Sequence, residues 1–319
     1  MKKNKKIAIF VALTLISVGF VVSLGAMAVM NFDFTKMNTL NFVTNTYQVD
    51  ETFSGISVDG AECDVRLVVY GDNQCSVVCK EGDKIYHSVT VENNTLIIER
   101  HDERKWYEHL GLYWADMEIV IYLPQSEFET LYIENLSGDI VIPEGFSFEA
   151  AEIYSTSGNV SFQAAADNVL SVKTVSGEIY VNNAEPQNLN IKSTSGDIEL
   201  SNINSQSITA YTTSGDIEFS NIKCQNITTD TTSGEIEFSK VIANEYINIK
   251  SVSGDVELNK CDAGSLWIKT VSGDVSGLLL TEKIFFTDTT SGDVKVPHSA
   301  SGGKCEIITT SGDIKLDIE

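Results

Sequence analysis

The sequence predicts an all-β fold, a single-stranded β-solenoid, on three observations. Ser-Gly pairs recur at a near-constant interval, apolar columns lie two residues apart within each copy, and turn-forming residues abound while only four prolines occur. Aligned on Gly138, Gly158, Gly177, Gly196, Gly215, Gly234, Gly254, Gly273, Gly292 and Gly312, the ten copies are spaced by 20, 19, 19, 19, 19, 20, 19, 19 and 20 residues. Such a period marks a stacked-repeat architecture, in which one unit cannot bury its own apolar face and its neighbours bury it instead.

Two residues after each glycine stand Ile140, Val160, Ile179, Ile198, Ile217, Ile236, Val256, Val275, Val294 and Ile314, all β-branched. Positions four after and seven and five before are also mostly apolar, which is the period of a strand with one face buried. Each copy therefore reads as two short strands joined at the Ser-Gly turn, with an apolar position at Ile203, Ile222 and Val241 marking a third, shorter side. In-register parallel coils explain why the same residue type recurs at every offset, whereas a meander of hairpins does not. The glycines are expected at tight turns with positive φ.

Taken in order, the chain opens with MKKNKK and a charge-free run from Ile7 to Met30. Twenty-four apolar residues suffice to cross a hydrocarbon layer of about 30 Å. The four lysines ahead of it keep the N-terminus cytoplasmic and the remainder outside. A signal peptide cleaved near Ala26-Met27-Ala28 is the competing reading, and the length of the run favours a retained anchor; both imply export. Setting those four lysines aside from 22 basic residues leaves 18 against 45 acidic ones, a net charge of −27. That charge argues against nucleic acid and anionic headgroups as partners and favours cationic ones, though it also simply keeps an exported sheet protein soluble.

Residues 31–52 read as a linker and 53–125 as an irregular N-terminal β cap without the Ser-Gly period. Within the cap, HDERKWYEHLGLYWAD at 101–116 is either an aromatic loop offering Trp106, Tyr107, Tyr113 and Trp114 to a sugar, or a short amphipathic helix plugging the solenoid's end with Trp106, Leu110 and Trp114. Of six cysteines, Cys261 and Cys305 fall in core columns and Cys224 in a small-residue position. Cys75 and Cys79, four apart on one strand, lie about 13 Å from each other, too far to bridge. Cys63 is placed to reach one of them across the turn Gly71-Asp72-Asn73. No cysteine and histidine spacing has the form of a zinc site.

Residues 126–319 hold the repeats. Directly after the glycines come Asp139, Asn159, Glu178, Asp197, Asp216, Glu235, Asp255, Asp274, Asp293 and Asp313. Acids stacked about 4.8 Å apart repel by about 1 kcal/mol per pair even in water, so something must compensate. One reading is a ladder of oxygen ligands for Ca²⁺ or for cationic groups, through Asp197, Asp216, Glu235, Asp255, Asp274 and Asp293. The other is that the side chains bond the turn backbone. Glu199, Glu218, Glu237 and Glu257 add charge on the same side, and Lys173, Lys192, Lys250 and Lys269 are placed to neutralise it. Asp317 and Glu319 on the last strand are expected to guard the open end against edge pairing.

The ordered pieces FSGISVDGAECDVRLVVYGDN, VTVENNTLIIE, IVIYLP and the serial SGDI/SGDV turns resemble a bacterial β-strand-repeat family of unknown function whose members carry the label "putative adhesin". The resemblance covers about residues 50 to 319. It implies a β-solenoid, often behind one membrane helix, with no catalytic residues to carry over. The expected function is that of a non-enzymatic, membrane-anchored surface protein presenting an acidic face to a cell-envelope component or surface protein, without a cofactor other than a candidate Ca²⁺. An envelope-stress or signalling accessory and a polysaccharide-active β-helix enzyme are the alternatives.

Overall fold

The computed structural model describes residues 2–29, 31–32, 42–71, 74–106 and 117–319. Helix α1, Lys2–Val29, contains a segment Phe10–Val29 of mean hydropathy 2.3, none of it buried within the protein. Its 20 residues are long and apolar enough to cross a membrane.

The remainder is one sheet wound into a β-solenoid. The predicted register is present: Ile198 pairs with Ile217, Ile217 with Ile236 and Ile236 with Val256, all parallel. The column two residues after the glycines is sealed from solvent from Ile140 to Val275 and again at Ile314. Like residues stack on like, so that the Phe219 and Phe238 rings lie 4.6 Å apart and 4° from parallel. Ile203, Ile222, Val241 and Cys261 are buried along the third side. The corner before that side is turned in left-handed conformation by Asn183, Asn202, Asn221, Lys240 and Lys260, with φ between 54° and 59°. Asn tolerates that region best, and Asn221 and Asn202 also pass a side-chain hydrogen bond to the coil before.

The Ser-Gly turns differ from expectation in conformation. Only Gly138 among the ten has φ in the left-handed region, at 107°. The other glycines are required by stacking: a Cβ on Gly158, Gly177, Gly215 or Gly234 would overlap the carbonyl oxygen of the turn glycine in the coil beneath. Three residues earlier, an inward threonine hydroxyl serves such a carbonyl in several coils. Thr174 Oγ1 donates to the Gly177 oxygen at 3.0 Å, with Ser193 Oγ 3.1 Å away, Thr212 Oγ1 to the Gly196 oxygen at 3.3 Å, and Thr309 Oγ1 to the Gly273 oxygen at 3.4 Å.

At both ends the order of coils in space departs from their order in sequence. The N-terminal strands are β1 (Phe42–Val49), β2 (Gly55–Ala61), β3 (Asp64–Val69), β4 (Cys75–Gly82), β5 (Ile85–Glu92), β6 (Thr95–Asp102), β7 (Glu118–Leu123), β8 (Glu127–Ser137) and β9 (Ile140–Ile142). The coil of β2 and β3 lies between β6 and β7 on one side and β8 and β9 on the other, all parallel. Antiparallel strands then close this end: β5 on β6, β4 on β7, and β1 on β4. Residues 31–52 are therefore not all linker, because Phe42–Val49 is a paired strand of the cap.

At the other end the last coil in sequence slips in one place early. Lys304–Ile308 pairs with Ser265–Lys269 on one side and with Ile284–Asp288 on the other. Ile314–Ile318 pairs along its length with Val275–Leu279, and Ile314 and Lys315 also pair with Val294 and Lys295. The coil of Gly292 is thus the terminal one, with Val294 45% and Phe286 53% exposed; it covers the last strand only at Ile314 and Lys315, so among the described residues Asp317 stays at an unpaired edge.

Gly215→Ala is expected to cost about 1–3 kcal/mol through overpacking. Gly71→Ala is the control, since a Cβ there meets nothing within 4 Å. Denaturant midpoints of the two variants check this; equal midpoints would refute the stacking role.

Candidate functional site

The acidic residues that follow the glycines form an unbranched file of hydrogen bonds between coils. The Asp139 amide donates to Asp64 Oδ1 at 2.9 Å, Asn159 to Asp139 at 2.9 Å, and Glu178 to Asn159 Oδ1 at 3.0 Å. The Asp216 amide donates to Asp197 at 2.9 Å, Glu235 to Asp216 at 2.8 Å and Asp274 to Asp255 at 2.8 Å. The slipped C-terminal coil continues the file, with Asp313 on Asp274 at 2.7 Å and Asp293 on Asp313 at 2.8 Å. Each of these aspartates except the terminal Asp293 thus answers the amide of the coil above it, a charge-assisted bond that offsets like-charge repulsion. Among the described residues the steps after Glu178 and Glu235 show no such bond, because the longer glutamate arm does not fold back onto the amide. Of the six acids singled out as a cation ladder, Asp197, Asp216, Asp255 and Asp274 accept such amides, while Glu235 and Asp293 only donate their own.

The outward row beside this file behaves differently. Glu199, Glu218, Glu237 and Glu257 are directly in register on successive coils. Among the described residues, no hydrogen bond or ion pair from the protein reaches their carboxylates. The row continues through Ser276 to Lys315 and Lys295, so it is acidic along the middle coils and basic at the C-terminal end. An open groove of about 430 Å³ runs beside it, lined by Glu237, Asp255, Glu257, Asp274, Asp313 and Lys315 among others. Partial burial, then Glu237 and Glu199, then Asp216 and Asp197, hold the Glu218 carboxyl above the usual glutamate range.

The lysines expected to neutralise the acids lie elsewhere. Lys173 sits 4.9 Å from the centre of the Tyr154 ring and Lys250 5.6 Å from that of Trp267, and among the described residues no ion pair joins them to the acidic file. Trp106 is exposed, and Tyr107, Tyr113 and Trp114 lie outside the described residues. All six cysteines are buried free thiols, so the Cys63 bridge is not formed. One group was missed from the sequence: Cys79, Glu81 and His87, fully buried, whose ligand atoms all lie within 4.8 Å of one another. Its visible signal is Glu81 on the inward face of β4, in phase with Cys75, Val77 and Cys79.

Two outcomes separate the acidic file from the row beside it. Asp216→Asn keeps an oxygen acceptor and is expected to leave stability unchanged or raise it, whereas Asp216→Ala should cost about 1–2 kcal/mol, read from denaturant midpoints. Because the Glu218 pKa is raised in the folded state, its contribution to stability is full below the unfolded pKa and lost as pH rises through the folded one. Glu218→Gln should therefore melt higher than the parent at pH 7, and the gain should vanish on acidification below the glutamate range.

No curated protein matched the sequence. Solved structures with similar overall shape include a "putative adhesin" from Bacteroides fragilis (15% identity, 88% of this chain and 97% of that one, TM-score 0.41). Another "putative adhesin", from Parabacteroides distasonis, has 13% identity over 87% and 98% of the two chains, with TM-score 0.46. A "putative lipid binding protein" from the same organism has 15% identity over 86% and 96%, with TM-score 0.39. The model of the Toastrack DUF4097 family matches residues 53–246 and 240–319, and on that match the chain belongs to this family.

Proposed function

We propose that this is a non-enzymatic, membrane-anchored protein whose solenoid stands outside the cell and presents the Glu199–Glu257 row to cationic groups of a cell-envelope component or surface protein. The observation that carries the reading is the contrast between the two acidic columns. The aspartate file is occupied in holding coils together, while the glutamate row has no partner among the described residues and is held close enough for its carboxyls to disturb one another. Like charges kept together without internal compensation cost stability, and a cationic partner relieves that cost on binding. The apolar helix supplies the anchor, and the positive-inside rule orients the solenoid outward. Against catalysis along the middle coils stands the monotony of the row: an active site needs unlike groups converging, and from Glu199 to Glu257 the row repeats one glutamate per coil.

The test uses the full chain in detergent with polylysine as cationic probe, read by calorimetry at several salt concentrations. Binding should weaken with salt and fall at least tenfold when Glu199, Glu218, Glu237 and Glu257 are all changed to Gln. Equal binding by parent and variant would refute the row as the contact surface. Ca²⁺ added in parallel, with melting temperature as readout, separates a bound ion from a cationic partner, since only an ion that binds the folded state raises the melting point.

A further inference from the structure

The N-terminal cap encloses a polar cluster that the acidic face does not use. Strand β4 turns Cys79 and Glu81 inward, β5 contributes His87, and Cys63 enters from the bend between β2 and β3. Glu81 is wholly buried and is held by Asn45, Tyr47 and His87. Its Oε1 accepts from Asn45 Nδ2 at 2.6 Å and the Tyr47 hydroxyl at 3.2 Å; its Oε2 accepts from the His87 amide at 2.7 Å and meets His87 Nδ1 at 2.9 Å. The neighbouring cation Arg100 is turned to Asp102 at 3.3 Å and Glu62 at 3.7 Å. Fully buried carboxylates are ordinarily paired or coordinate metals.

We propose that Cys79, Glu81 and His87 bind a single Zn²⁺-class divalent cation within the cap. The donor set of one sulfur, one imidazole nitrogen and one carboxylate oxygen is one that Zn²⁺ accepts, leaving its fourth position open. Their ligand atoms lie within 4.8 Å of one another, so bond lengths of about 2.0–2.3 Å require the triangle to contract by under about 1 Å. On binding, the Cys79 thiol gives its proton to solvent, and the imidazole proton moves from Nδ1 to Nε2. There it faces Cys63 Sγ, which stands 3.9 Å away and fixes the ring from outside the coordination shell. Thiolate and carboxylate together cancel the charge of the ion. Because β1, β4 and β5 close over the cluster, the ion enters as the cap folds.

The full chain, unfolded in denaturant under reductant, is refolded into detergent with Zn²⁺ or Co²⁺ present and desalted, and the retained metal is counted. One ion per chain is expected, with a sulfur-to-cobalt charge-transfer band in the Co²⁺ form and a higher melting temperature with Zn²⁺. Cys79→Ser should abolish the band, and Cys63→Ser should keep it while weakening affinity by about tenfold or more. Cys75→Ser, a buried thiol outside the cluster, should change neither. Should His87→Gln fail to fold, the serine variants alone decide. The proposal is overturned if no ion is retained, if retention survives Cys79→Ser, if retention is lost in Asp216→Ala instead, or if the mass shows a Cys63 to Cys79 disulfide.

Discussion

The structure depends on one steric constraint: at each Ser-Gly turn, backbone lies directly on backbone. The carbonyl of Gly138 occupies the space a Cβ of Gly158 would take, and the same holds from coil to coil as far as Gly312 over Gly273 and Gly292 over Gly312. With this approach fixed, the remaining columns have no choice of register, since a slip of one residue would turn every inward Ile and Val to solvent. The threonines three residues before the glycine at Thr174, Thr212 and Thr309 belong to the same constraint, because each gives its hydroxyl hydrogen bond to a crowded turn carbonyl from inside the coil.

That stacking decides what the acids do. Aspartate has the arm length to reach the amide above it, and where the chain substitutes glutamate, at Glu178 and Glu235, the chain of bonds is interrupted. Two columns that look equally acidic therefore differ in kind: one is part of the scaffold, and the other is charge held in place by it. The charge on Glu218 is opposed by its neighbours in both columns, which is why that residue shows its environment in its protonation. The second column offers both oxygens of each carboxylate, and the first keeps the oxygen that the amide above does not take.

Much of this was legible in the residues. The glycine period, the β-branched column at Ile198, Ile217 and Ile236, and the parallel register follow from spacing alone, because in-register stacking forces like onto like. The turn conformation did not, since a glycine kept for close approach and one kept for positive φ read identically; the recurring Asn183, Asn202 and Asn221 were the truer markers of left-handed backbone. The bonds of the aspartate file were open as one of two readings, and Asp64, which begins the file, carries no Ser-Gly in front of it. The cluster in the cap was hidden because Cys79 and His87 lie on β4 and β5, which pair antiparallel, and Cys63 in the bend between β2 and β3, an arrangement with no period to read. Nothing in the repeat signals that the last coil takes the place before its predecessor.

That displacement of the end coils sets where such a rod can change length. Gene duplication or loss at either tip would have to rethread a coil lying inside another's place, whereas between Gly158 and Gly254 every unit offers its neighbour the same floor and the same roof. Growth is therefore open only in the interior, in steps of one coil or about 4.8 Å, with the two closures carried along unchanged.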